Sequence, residues 1–497
     1  IEKEGEYVRP EVTTKKGIFT GASEPNGVLA FKGIPFAKPP VGKLRWREPI
    51  ECENSKQHFD AGTFRPIPVQ IYDERYAGLE QSEDCLYLNV YTSDLVRTNK
   101  PVLVWVYGGA YIKGGASREM FHGDRMIGEN PDLILVTINY RLGVFGSLNL
   151  SEIDKTGEYR YSNNLARLDL QAALKWVREN ISAFGGNPDN VTVFGHSAGS
   201  SNISAQLLMK EPERYFKKAI MHSSFAVDIG ITSWENSLGA ARVFLDILGN
   251  PSLEELLKIP AEQILDAQIK LQQSDFFDED RKAFSVVEDD IVIPKHSFEK
   301  LVQGNAAGIT AMIGTCCGEY DQQFRDKNME EKRKFLQNQC GKKVPDMEET
   351  IRFLHGQEPE KPLEEIYMDI KNDLWLRVPA NLVAEAMSYH SNVYMFHTLL
   401  RKENQIRAHH GNEYEMIFGR GDQELADEDT ARRIRQTWLN FVRYGRPGYT
   451  DMPQWPTYDR EKRRTMVVEK EPYVSEGVRL KALEQFYPLF EERKYLK

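Results

Sequence analysis

The sequence predicts an α/β fold, a large and mostly parallel sheet flanked by helices, on three observations. Short apolar runs of strand length alternate with longer amphipathic runs along the chain. The short runs are apolar at successive positions rather than at every second one, as strands covered on both faces require. At one point a strand-like run passes into a helix-compatible run through a single glycine-flanked turn. With 497 residues, 41% of them hydrophobic, the chain can bury a large core without disulfide or metal staples.

The elements follow in order. Residues 102–107 (Val-Leu-Val-Trp-Val-Tyr) and 133–138 (Leu-Ile-Leu-Val-Thr-Ile) read as buried parallel strands. Residues 168–184 carry Leu170, Ala173, Leu174, Trp176, Val177 and Ile181 at helical spacing and stop at Gly185-Gly186-Asn187-Pro188. A strand at 191–194 and a helix at 201–209 come next, then a strand at 217–222. Residues 233–282 and 329–373 read as helical, and 311–314 and 393–396 as later strands. There is no internal repeat and no low-complexity linker, so 1–497 reads as one domain. Sites in such sheets lie at the carboxyl ends of the strands.

Composition excludes several classes. A net charge of −10 with no basic block argues against nucleic acid or an anionic membrane as partner. No apolar run is long enough for a transmembrane helix. The first residues do not read as a signal peptide, which leaves a cytoplasmic or a disulfide-poor secreted or lumenal location open. Cys52, Cys85, Cys316, Cys317 and Cys340 are too sparse for a disulfide framework and lack a second pair at zinc spacing. No metal and no cofactor are expected. Sequons begin at Asn149, Asn180, Asn190 and Asn202. The last two flank the turn described next, where burial argues against a glycan.

That turn is Val191-Thr192-Val193-Phe194-Gly195-His196-Ser197-Ala198-Gly199. Strand, one strained turn, then helix, with serine at the apex, is the arrangement of a nucleophile elbow. The helix N-terminus below the serine offers N–H groups to a developing negative charge. A serine hydroxyl is a weak nucleophile and needs a base, an acid to orient it, and donors for the oxyanion. The segment Gly108-Gly109-Ala110 after the strand at 102–107 suits the last role, with Gly109 and Ala110 joined by Ala198 as N–H donors.

Over nearly its whole length the chain resembles the carboxylesterase/cholinesterase family, the type-B carboxylesterases of the α/β-hydrolase superfamily. The resemblance is carried by Phe31-Lys32-Gly33-Ile34-Pro35-Phe36-Ala37, Ser82-Glu83-Asp84-Cys85-Leu86, Asn139-Tyr140-Arg141 and Ala183-Phe184-Gly185-Gly186-Asn187-Pro188. It implies a triad in the order Ser, acid, His. By position after Met312-Ile313-Gly314 the acid is Glu319, and by register from Phe418-Gly419 the base is His410 rather than the adjacent His409. Ser223 matches a serine standing behind the acid.

The chain departs from the family at four places. His196 precedes the nucleophile where glutamate is usual. Arg75 stands where cholinesterases place the tryptophan that binds quaternary ammonium, which argues against acetylcholinesterase activity. Ala110 replaces a third glycine of the oxyanion loop but keeps its N–H. Cys85 matches a family half-cystine whose partner region, 65–70, holds no cysteine, so a free thiol is expected.

The resemblance implies a serine hydrolase of lipophilic, uncharged esters, including xenobiotic ones, with organophosphates and carbamates as acylating inhibitors of Ser197. The alternatives are a hydrolase of lipid, thioester or hormone esters, and a non-catalytic binding or adhesion protein of the same fold. The intact set of Ser197, Glu319 and His410 argues against the last.

Overall fold

The computed structural model describes residues 9–276, 284–402, 405–419 and 428–496. The end of the helical stretch expected at 233–282 lies partly outside the described residues. The chain gathers into two compact units, Ile1–Val193 with Ser237–Ser274 and Phe194–Asn236 with Asp275–Lys497.

The first unit contains β1 (Leu29–Pro35), β2 (Tyr87–Thr92), β3 (Lys100–Val106), β4 (Ile134–Ile138), helix α1 (Leu165–Asn180) and most of β5 (Gly186–His196). The strand order is β1-β2-β4-β3-β5. β4 runs parallel to β3, with Val136 opposite Val104, and antiparallel to β2. All five residues of β4 are buried, as its unbroken apolar run requires. α1 buries Leu170, Ala173, Leu174, Trp176 and Val177 and continues as a 3-10 turn over Ile181–Phe184. The expected stop at Gly185–Pro188 is shorter than read, because β5 already begins at Gly186. Asn187, Asp189 and Asn190 are polar and none of residues 187–190 is buried, so the apolar pattern marked the strand only from Val191.

Several residues that carry the family resemblance prove to be clamps within this unit. Arg45 donates to both carboxylate oxygens of Glu83, at 2.6 and 2.5 Å. Asn89 accepts from the N–H of Gly33 at 2.9 Å, where β1 bulges between Phe31 and Ile34. Gly33 sits there at φ +70, and a Cβ would fall 2.4 Å from Arg65 Cγ. Arg141 grips Asp169 at 2.9 and 2.6 Å, with Asp169 fully buried. Cys85 is buried and free, as expected.

The second unit contains the end of β5, α2 (Ala198–Leu208), β6 (Lys218–His222), β7 (Thr310–Cys316), α3 (Val378–Ser388), β8 (Val393–Thr398), α4 (Asn412–Ile417), α5 (Glu428–Tyr444), β9 (Arg464–Val468) and β10 (Tyr473–Glu476). The strand order is β5-β6-β7-β8-β9-β10. β6, β7, β8 and β9 are successively parallel, and β10 closes the edge antiparallel to β9. The expected helical stretch 329–373 is three helices, Met329–Cys340, Met347–Gln357 and Leu363–Asn372, which lead through a π-helical segment, Asp373–Arg377, into α3. Parallel strands flanked by helices, with antiparallel edges, match the α/β class expected from the sequence.

Candidate active site

β5 ends at His196, and Ser197 follows at φ 55 and ψ −130, a conformation that L-residues avoid. Two hydrogen bonds hold it there. The Ser197 N–H donates to the His222 carbonyl at 2.8 Å, and the Ser197 carbonyl accepts from Ser201 N–H at 3.0 Å to start α2. A Cβ at Gly195 would stand 2.6 Å from the Gly199 carbonyl carbon and oxygen, which are backbone atoms and cannot rotate away. The turn is therefore closed to any residue but glycine at Gly195.

The other side chains come from the ends of the neighbouring strands. Ser223 follows β6, donates its N–H to Gly314 at 3.0 Å, and its hydroxyl to Glu319 Oε1 at 2.6 Å. The Cys316 N–H donates to the same oxygen at 2.6 Å. The other oxygen, Oε2, lies 2.6 Å from His410 Nδ1. A parallel bridge between Gly318 and His409, with Gly318 N–H donating to Ala408 at 2.8 Å, sets the next residues of each segment, Glu319 and His410, side by side.

The electrostatics follow from this geometry. The Glu319 side chain is 1% exposed and that of His410 30%. Burial alone would push the His410 imidazole down, but the hydrogen bond and charge of Glu319, aided by Glu413, hold it above its ordinary value. With its proton on Nδ1 facing Glu319, His410 presents Nε2 as an acceptor. His196 packs its ring 4.3 Å from the His410 ring and 4.8 Å from Tyr414. Burial, then the neighbouring His410 and His222, holds His196 well below the usual histidine range, so this ring is neutral. His409 turns to Gln322, 3.0 Å away.

In the first unit, Gly109 and Ala110 occupy the turn after β3 at φ 131 and 53, closed by Ile112 N–H donating to Gly109 O at 3.0 Å. Among the described residues the N–H groups of Gly109 and Ala110 meet no protein acceptor. In the second unit the same holds for Ala198, the first residue of α2. Among the described residues no group of three or more His, Cys, Asp or Glu side chains is arranged to hold a metal ion. Glu413 and His222, to which no motif assigns a role, are fully buried beside these groups. No spacing pattern distinguishes a buried glutamate or histidine from an exposed one.

Comparison with known proteins gives the family. The model of the carboxylesterase family matches residues 8–486. Among curated relatives, the para-nitrobenzyl esterase of Bacillus subtilis (strain 168) is 33% identical, over 96% of this chain and 98% of its own. Carboxylesterase 1C of Rattus norvegicus is 29% identical, over 91% and 88%. Among solved structures, a PNB esterase superposes with a TM-score of 0.84 at 33% identity, covering 96% of this chain and all of the other. A carboxylesterase of Geobacillus stearothermophilus gives a TM-score of 0.84 at 29% identity, covering 98% of this chain. The chain therefore belongs to the carboxylesterase family, with the α/β-hydrolase fold, and is a carboxylic ester hydrolase.

Proposed function

We propose that the chain hydrolyses lipophilic carboxylic esters through an acyl-enzyme on Ser197. The observation that carries this reading is the 2.6 Å contact of His410 Nδ1 with a buried Glu319, in the same unit as a serine held at a strained strand–helix turn. Ser197 Oγ attacks the ester carbonyl and its proton passes to His410 Nε2. Glu319 orients the ring and stabilises the imidazolium. The N–H groups of Gly109, Ala110 and Ala198 are read as the donors to the tetrahedral oxyanion, and their lack of protein acceptors supports that role. His410 returns the proton to the departing alcohol. Water then gives its proton to His410, attacks the acyl carbon and releases the acid, and Ser197 regains its hydrogen.

The name of the para-nitrobenzyl esterase points to an aromatic alcohol group, so para-nitrobenzyl and para-nitrophenyl esters are the first substrates to try. Detoxification of xenobiotic esters and capture of organophosphates or carbamates follow as part of the same reading. The test is a fluorophosphonate, read by intact mass. One adduct per chain, absent from Ser197→Ala, is expected. No adduct on folded protein sinks the serine mechanism.

A further inference from the structure

Beside the proposed triad the second unit buries another carboxylate–imidazole pair. Glu413 and His222 are both fully buried. His222 Nδ1 stands 3.1 Å from Glu413 Oε1, off the line of an ideal hydrogen bond. Trp438 Nε1 donates to His222 Nε2 at 3.0 Å, so that nitrogen is an acceptor and the ring proton sits on Nδ1, towards the carboxylate. The Cys316 thiol donates to Glu413 Oε2 at 2.9 Å. A neutral imidazole and a thiol thus face an ionised carboxylate, and the cluster carries a net negative charge.

The same residues reach into the site. The His222 carbonyl holds the Ser197 N–H, and the Cys316 N–H holds Glu319 Oε1. Glu413 lies three residues beyond His410, in the first turn of α4. The charged groups acting on His410 are Glu319, from the loop after β7, and Glu413, while His196 from the elbow meets it as a neutral ring.

We propose that Glu413, kept ionised by His222, Cys316 and Trp438, is a positioning residue for ester hydrolysis: a fixed negative charge near His410 that stabilises the imidazolium formed as Ser197 attacks. The role rests on the serine mechanism proposed above. It requires no proton to enter or leave the cluster. The carboxylate acts by staying charged, and Trp438 fixes the His222 ring proton on Nδ1, towards it.

The test is the pH profile of kcat/KM for a para-nitrophenyl ester. Glu413→Gln keeps the shape, since its amide oxygen can face His222 Nδ1 and its NH2 the Cys316 sulfur, but removes the charge. The acidic limb set by His410 is expected to move down by about one pH unit, and kcat to fall about tenfold. Glu413→Asp, which keeps the charge, restores the limb. An unmoved limb in the Gln variant, with only a lower melting temperature, means that the cluster merely supports the fold and overturns the proposal. Fluorophosphonate labelling of the parent protein separates the two levels. An adduct on Ser197 with an unmoved limb removes only the role of Glu413, whereas no adduct removes the mechanism on which it rests.

Discussion

Replacing Glu319 with glutamine tests the proposed site most sharply, because the carboxylate accepts three hydrogen bonds of 2.6 Å and an amide cannot. The donors are Ser223 Oγ, Cys316 N–H and His410 Nδ1. If the amide oxygen faces His410, the amide NH2 opposes the Cys316 N–H. That donor is fixed backbone, and a buried, unsatisfied donor costs about 1–3 kcal/mol. If the oxygen instead faces Ser223 and Cys316, the NH2 points at His410 Nδ1, which must become an acceptor. The ring proton then moves to Nε2, the nitrogen required to take the proton of Ser197. The second arrangement costs only a change of tautomer, so it wins, and it leaves the site folded without a base. The same exchange in an unrelated serine hydrolase lowers kcat by about 10⁴, equivalent to about 5.5 kcal/mol of transition-state stabilisation. The assay is kcat on a para-nitrophenyl ester, with circular dichroism and melting temperature to confirm folding. A folded Glu319→Gln variant within tenfold of the parent at pH 7 would refute the reasoning.

Three further outcomes are expected. Gly195→Ala forces a Cβ to within 2.6 Å of backbone atoms of Gly199; overpacking of this kind costs about 1–3 kcal/mol, and a shift of about 1 Å in the nucleophile costs on the order of a hundredfold in rate, so a variant with parental kcat and melting temperature would disprove the closed turn. The base works only when neutral, and His410 is held above its ordinary value of 6.5; kcat/KM should therefore fall as pH drops through an inflection above 6.5, and an inflection below it contradicts the Glu319 pairing. Asp169→Asn leaves the buried Arg141 guanidinium, 4% exposed, without its anion; a loss of about 3–5 kcal/mol should appear in the urea midpoint, and an unchanged midpoint would show that the pair carries no stability.

What the sequence disclosed depended on how local each signal is. The elbow is contiguous, and its strain is written in Gly195 and in the run from Val191 to Phe194, so it was legible from the residues alone. Six strands, β3 to β8, were legible because they are runs of apolar residues, while the polar start of β5 and the strands β1, β2, β9 and β10 were not. The Glu319–His410 pair is different in kind. It is created by the pairing of Gly318 with His409, which no local pattern announces, and only the family resemblance reached it. Gly33, Glu83 and Arg141 stood out as parts of signatures, yet in the fold they pair with Asn89, Arg45 and Asp169 rather than substrate. Glu413 and His222 stayed hidden because their partners come from strands and helices far along the chain.

Among the described residues no cysteine pairs in a disulfide, and Cys85, Cys316 and Cys340 are buried. In the folded protein the buried thiols are shielded from oxidants, and burial pushes Cys85 and Cys316 up, away from the reactive thiolate. Unfolding removes that shield from all of them at once. A chain that opens in air can then form cross-links, within itself or with its neighbours, that the native structure has no place for, and each one bars the way back. The working lifetime of this esterase under heat is thus a contest between refolding and oxidation. It is set as much by the reductant in the vessel as by the depth of the native energy well.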